Sequence, residues 1–329
     1  MDEGVAGLRP LFLRKEGKVT KTAFLCPGMG AQEVGMAADF ILGNVEAADL
    51  FEEVKNASGI DIYRLCYEGP QAELSEPQNA IPCLVATSII VARMLATKGI
   101  EPDCVAGFGC GEYAAHAIAG TLDIETIMQM AVRVGAMTAL TSNRASGRMA
   151  LFEGMDAAEA QKMCEKVREN GQALDIAGYV SDDVTLLSGA KEGINSACTT
   201  WKEAGEKCQT LLSAAACNSE MMEIVLNNGV RPAVGGTLFD IGRIPVYNCV
   251  DAEPFVARDV VRILSDAVMS PVQWQKILEH MLDDGVENFI VCGPKSFISD
   301  SVRDVAAARG TEVQVRSVSC AHDLDRLAL

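Results

Sequence analysis

The stretch CVAGFGCGEYAAHAIAG, Cys104 to Gly120, decides how the chain is read. Cys104, Val105 and Ala106 form a short apolar run that reads as a buried strand, and Glu112 to Ala119 reads as a helix. Between them the pentapeptide GFGCG, Gly107 to Gly111, reads as a tight turn. This is the strand, turn and helix of a nucleophile elbow, G-x-S-x-G, whose strained turn lifts its central residue out of the sheet. Here the central residue is Gly109. Glycine has no side chain with which to attack a carbonyl, so the scaffold is expected without its reactive group.

Outward from the elbow, β-like and helical segments alternate. Thr22 to Cys26 reads as a strand, and the turn Pro27, Gly28, Met29, Gly30 follows, with backbone amides free to point at a ligand. Helical periodicity covers Val45 to Ala57, Ile81 to Lys98 and Ile124 to Ala136, the last capped by Asp123. Such an order predicts an α/β fold with a mostly parallel sheet covered on both faces. From Met149 to Leu212 the pattern changes to strand, helix, strand, strand, helix, strand: 149–152, 156–169, 173–180, 184–188, 194–202 and 208–212. That is the split ferredoxin-like order. Alternation then resumes with strands at 246–250, 288–292 and 313–318 and helices at 272–282 and 296–309. The expected organisation is a large α/β part over 1–147, a ferredoxin-like small subdomain over 148–213, and completion of the large part over 214–329.

Composition narrows the function classes. The 329 residues are 49% apolar, which suits a globular protein with a large core. A net charge of -17 argues against nucleic-acid binding, which needs Lys and Arg to displace counterions from phosphates. Met1 to Lys18 lacks the apolar stretch of a secretory signal, and no run is expected to reach the roughly 18 to 20 apolar residues that cross a bilayer. The twelve cysteines contain no C-x-x-C pair, so they are read as small buried residues in a reducing, cytoplasmic setting, with no metal site and no disulfide framework.

Six ordered motifs give the chain a resemblance to the malonyl-CoA:acyl carrier protein transacylase family. They are Pro27, Gly28, Gly30 and Gln32; Leu74 with Pro82 and Leu84; Gly111 to Ala115 with Gly120; Ile244, Pro245 and Asn248; Pro271, Val272 and Trp274; and Gly293 with Pro294. The resemblance spans about residues 20 to 320 and implies an α/β-hydrolase-like core with an inserted ferredoxin-like subdomain. It also implies a serine nucleophile, a histidine base, backbone amides that hold an oxyanion and an arginine that clamps the malonyl carboxylate.

The three side-chain roles, serine, histidine and arginine, are replaced here. Gly109 stands for the serine, with Phe108 before it where the family typically has histidine. The histidine falls in LLSAAACNSEMM, residues 211–222, where two alignments put either Asn218 or Ser219 at its place. Neither is a base near neutral pH. Val134 takes the arginine position, and Arg133 lies about 100° round the helix from it. Two family glutamines are replaced by Ile81 and Ala267. Cys110 is the one candidate substitute nucleophile, although an elbow presents its central residue and not the next. Cys217 lies near the lost histidine and is read as structural. His116, His280 and His322 are read as helix-surface or tail residues, and Glu112 as a brace for the turn. No cofactor is implied.

The resulting expectation is a catalytically silent homologue that binds an acyl carrier protein, a synthase subunit, an active paralogue, or a CoA or acyl ligand. Its expected binding residues are Gly28, Met29, Gly30, Gln32, Phe108, Cys110, Arg133 and Asn248. Lys202, Lys207 and Arg231 are candidates for a local basic patch that would receive an acidic carrier protein. The runner-up is a divergent enzyme moving a non-malonyl acyl group from CoA to a carrier protein through Cys110 or another residue.

Overall fold

The computed structural model describes residues 20–42, 44–212 and 215–327. The N-terminal reading and the expected subdomain boundary at 213 and 214 lie outside these residues. Among the described residues nine strands form two sheets: β1 (Lys21–Cys26), β2 (Cys104–Gly107), β3 (Gly147–Glu153), β4 (Leu174–Ser181), β5 (Val184–Ala190), β6 (Cys208–Thr210), β7 (Val246–Tyr247), β8 (Val286–Cys292) and β9 (Gln314–Val318). The large sheet has the order β7-β2-β1-β8-β9 and every pair in it is parallel. The small sheet has the order β4-β5-β3-β6 and its pairs are antiparallel. Two helices, Ala157–Glu169 and Lys191–Glu203, complete the β-α-β-β-α-β order of a ferredoxin-like unit.

Local signals explain the element starts. The Asp123 side chain accepts from Thr126 N at 2.7 Å to begin the helix Ile124–Arg144. Asp156 and Glu159 form a reciprocal capping box at Ala157–Glu169. The helix Pro77–Thr97 starts earlier than its periodicity suggested because Pro77, with no N–H to satisfy, sits in the first turn. This helix corrects the expectation about membrane spans: it is long and apolar enough to cross a bilayer, yet 83% of its most apolar window is buried inside the fold. It is the core helix under the sheet, and its Ser88 Oγ donates to Cys292 O on β8 at 2.7 Å.

Two-residue alternation splits the small sheet between two cores. Ala150, Phe152 and Leu187 face its own two helices, whereas Met149, Leu151 and Leu186 join the core of the large part. A second link is hydrogen-bonded. Tyr179 N donates to Val272 O and Val272 N to Ala177 O, both at 2.9 Å, which ties β4 to the chain just before the helix Trp274–Asp283. Val272 and Gln273 are therefore extended, and the helix begins two residues later than expected. The strand expected at 246–250 is confined to Val246–Tyr247, because Asn248 turns the chain.

Two of the twelve cysteines depart from their reading. Cys198 and Cys208 are joined as a disulfide within the small subdomain, while the other ten are free. A pair ten residues apart carries no spacing signature, which is why the sequence did not mark it.

Candidate functional site

β1 and β2 run side by side, and the loops at their C-terminal ends meet. Phe108 N donates to Cys26 O at 2.9 Å, and a Cβ on Gly28 would come within 2.3 Å of Phe108 O. Gly28 is thus required by the close approach of the two loops. At Gly109 the reason is different: φ is +54°, a left-handed conformation, yet an added Cβ would meet only Asn218 Oδ1 at 3.6 Å. The elbow keeps its strained shape and leaves room for a side chain that is absent.

Of the two residues aligned with the histidine, Asn218 is the one that faces the elbow. Asn218 stands opposite Gly109, with its Nδ2 donating to Ala267 O at 2.7 Å and Ser270 O at 3.1 Å. Its backbone is left-handed, φ +56°, which asparagine tolerates better than serine. Ser219 is buried and its Oγ donates to Ala216 O, so it faces away.

A cavity of ≈ 70 Å³ lies over the elbow. Of the positions read as replaced, Ile81, Phe108, Gly109, Val134, Asn218 and Ala267 line it, and Met29 and Cys110 join them. Phe108 packs edge-on against Trp274 and Phe297, with centroids 5.5 and 5.1 Å apart. Thr138, Met149, Leu186 and Leu264 are among the other lining residues and were not foreseen. They sit on apolar faces whose periodicity is that of ordinary core, so no sequence signal separates them.

Five expected binding residues do not line the cavity. Arg133 is exposed and its Nε donates to Asn228 O at 3.2 Å, because the helix turns it away from Val134. Asn248 holds its own turn, accepting from Val250 N and Asp251 N and donating to Glu253 O. Gln32 Oε1 accepts the Gly30 amide at 2.8 Å, so that amide is engaged inside the loop, and Gln32 Nε2 donates to Leu212 O. Gly28 and Gly30 shape the loop without reaching the space above Gly109. Of the proposed basic patch, Lys207 pairs with Glu153 and Arg231 donates to Asn227 Oδ1.

Burial raises the pKa of the thiols and the carboxyl near the elbow. Burial pushes the Cys110 thiol up to about 12, opposed by the backbone amides of Met29 and Cys110 that face its sulfur. Those amides belong to the two loops expected to hold an oxyanion, and a sulfur now sits against them. Burial likewise pushes Cys217 up to about 12, and its Sγ lies 3.7 Å from Met29 Sδ. Neither thiol is a ready nucleophile, since the thiolate is the attacking form. Burial lifts the Glu112 carboxyl to about 7 against its bond from Cys249. Glu112 Oε2 accepts from Cys249 N at 3.4 Å, bracing the turn as expected.

The histidine reading needs correction. His116 is fully buried, its Nδ1 pairs with Thr121 Oγ1 at 2.9 Å, and its ring packs edge-on against Phe239 and Phe255. Burial pulls it down to about 4. His280 is half-buried, with Nδ1 2.8 Å from Ala252 O. Neither they nor His322 line the cavity.

A two-loop elbow between parallel strands, roofed by a ferredoxin-like unit, defines an acyl-transfer scaffold. The chain belongs to the acyl transferase domain family, which it matches over residues 23–321. It is 29% identical over 278 residues to the malonyl CoA-acyl carrier protein transacylase of Escherichia coli K12, covering 84% of this chain and 90% of that protein. The corresponding transacylase structure from Coxiella burnetii superposes with a TM-score of 0.86 at 23% identity, covering 94% and 97%. A malonyl-transacylase solved in complex with its type II PKS acyl-carrier protein superposes with a TM-score of 0.85 at 24% identity, covering 93% and 98%.

Proposed function

We propose that this chain is a malonyl-CoA:acyl carrier protein transacylase homologue that does not run the serine–histidine reaction. It acts instead as a binding or scaffolding partner in cytoplasmic fatty acid or polyketide synthesis. The observation that carries the reading is the pair Gly109 and Asn218: the elbow offers no nucleophile, and the group opposite is an amide. Amides are not proton acceptors near neutral pH, and losing either member of a nucleophile–base pair costs orders of magnitude in rate. Val134 at the clamp position leaves a malonyl carboxylate without a guanidinium in the cavity. The relative solved with its carrier protein supports an acyl carrier protein as the partner.

Incubation with radiolabelled malonyl-CoA and acetyl-CoA, followed by intact-mass analysis and transfer to a purified acyl carrier protein, tests the reading. No covalent acyl adduct and no transfer are expected, with carrier protein retained on the immobilised chain. An acyl adduct formed at turnover speed and abolished by Cys110→Ala would establish the divergent enzyme in its place.

A further inference from the structure

A groove of ≈ 730 Å³ runs between the small sheet and the helix Phe297–Ala308. Its floor is apolar: Leu151 on β3, Val180 on β4, and Phe297 and Val305 on the helix. Five carboxylates form its rim, those of Glu153, Asp182, Asp183, Asp300 and Asp304, and no lysine or arginine is among the described residues that line it. Two cations reach in from outside, Lys207 to Glu153 at 3.4 Å and Arg303 to Asp300 at 2.8 Å. Asp304 is left less well matched: burial, then the Asp183 and Asp300 carboxylates, push it up against the opposing charge of Arg303.

We propose that this groove receives the chain's own N-terminal segment, residues 8–18, LRPLFLRKEGK. The segment matches the groove in both of its chemistries. Leu8, Leu11, Phe12 and Leu13 supply apolar side chains for the floor. Arg9, Arg14, Lys15 and Lys18 stand against the single acid Glu16, a basic stretch in a chain whose net charge is -17. Opposite charges meet at the rim while the floor takes apolar area out of water, so the two contributions act together.

The chain enters the described fold at the foot of the groove. Lys21, the first residue of β1, donates through Nζ to Asp284 O at 2.6 Å. The neighbouring Asp283 pairs with Arg309, which directly follows the helix whose Ala307 and Ala308 line the groove. From there to Phe297 the helix rises about 18 Å, its 12 residues advancing about 1.5 Å each. An extended chain covers about 3.3 Å per residue, so the seven residues back from Thr20 span about 23 Å. That brings Leu13 to Phe297, with Lys15 and Arg14 passing Asp304 and Asp300. Phe297 also packs edge-on against Phe108 with centroids 5.1 Å apart, so a segment seated there bears on a ring that holds Phe108 over the elbow. Occupancy of the groove does not require that the elbow transfer acyl groups or that it fail to.

Photo-cross-linking of the full chain carrying Phe12→benzoylphenylalanine, mapped by peptide mass spectrometry, reads the contact directly. Adducts are expected within a single chain, on residues 180–184 or 297–308, with a yield that falls severalfold between about 0.05 M and about 0.5 M salt. Asp300→Lys with Asp304→Lys should lower the yield at least tenfold while the melt stays cooperative. Arg14→Glu with Lys15→Glu should lower it equally, and serves alone if the groove variant does not fold. Combining the two sets restores opposite charges and should recover most of the yield, a rescue that a merely structural effect of either set would not give. Adducts joining two chains would give the groove to a second copy. Protection of residues 297–308 from hydrogen exchange by spermine, without any adduct from position 12, would give it to a diffusible polycation. Either result, adducts elsewhere in the chain, or a yield indifferent to both charge reversals would overturn the proposal.

Discussion

Replacing Gly109 with serine probes both the shape of the elbow and the absence of a base. The backbone there has φ +54°, which costs an L-residue about 1–2 kcal/mol. Space is not limiting, since the new Cβ would lie 3.6 Å from Asn218 Oδ1, an ordinary contact. Against the strain, serine restricts the unfolded chain relative to glycine and recovers about 0.4–1 kcal/mol. The net loss is on the order of 1 kcal/mol. With an unfolding entropy of about 2.1 cal/mol/K per residue over the 329 residues, Tm should fall by about 1–2 °C. The hydroxyl would face an amide that accepts no proton, so the variant should show no acyl-serine and no transfer above wild type. Thermal and denaturant melts with intact-mass analysis after malonyl-CoA read both effects. A loss above about 4 kcal/mol would mean that the space is occupied, and a burst of acylation would mean that a base stands where Asn218 is placed.

Further expectations follow from the buried groups. The folded-state pKa of Glu112 is raised from 4.5 to about 7, so its contribution is full below 4.5 and is lost as pH rises through 7. That of His116 is lowered from 6.5 to about 4, so its contribution is full above 6.5 and is lost as pH falls towards 4. Between pH 4.5 and 6.5 the two slopes, each about 1.4 kcal/mol per unit, oppose one another. Denaturant titrations should therefore show stability rising with pH in Glu112→Gln and falling with pH in His116→Asn; slopes of the same sign in both variants would contradict these environments. Cys110, at about 12, should alkylate with iodoacetamide at pH 8 about a thousandfold more slowly than a thiol of pKa 9, and equal rates followed by peptide mass spectrometry would refute its burial. Val134→Arg puts a guanidinium among apolar side chains and should cost about 3 kcal/mol or more in denaturant melts; a neutral effect would show that the cavity supplies a counter-charge.

Much of the framework was legible because it rests on residues whose alternatives are excluded sterically. Gly28 and Gly111 would each put a Cβ within 2.3 Å of backbone oxygen, so their spacing carries the elbow wherever it occurs. The same holds for Val134: the helix Ile124–Arg144 fixes which residue faces inward, and Arg133 follows from the 3.6-residue period. Asn218 stayed ambiguous because the chain around it has no period to count, although its left-handed backbone was a usable preference for asparagine over serine. His116 was misplaced because the helix Gly111–Ala119 is buried on nearly all sides, so no polar face marks an outside. Arg133 and Asn248 were drawn into the site by motif alone, and motif position does not give side-chain direction.

An elbow stores strain in order to present a nucleophile, and a glycine at its centre releases that strain while the loops keep their shape. Once the nucleophile is gone, the polar groups that served the charged substrate would be buried without partners, and each would cost about 1–3 kcal/mol. Ile81, Val134 and Ala267 line the cavity with apolar groups where the family resemblance implies polar ones, and Phe108 wedges between Trp274 and Phe297, where edge-on contacts add about 0.5–1.5 kcal/mol each beyond area. The replacements are therefore mutually supporting. Restoring the serine alone brings back backbone strain without a base, and restoring the arginine alone buries an unpaired charge. Under the proposed reading, each of these single changes loses stability before it gains any chemistry, which makes the apolar cleft over Gly109 a self-consistent state.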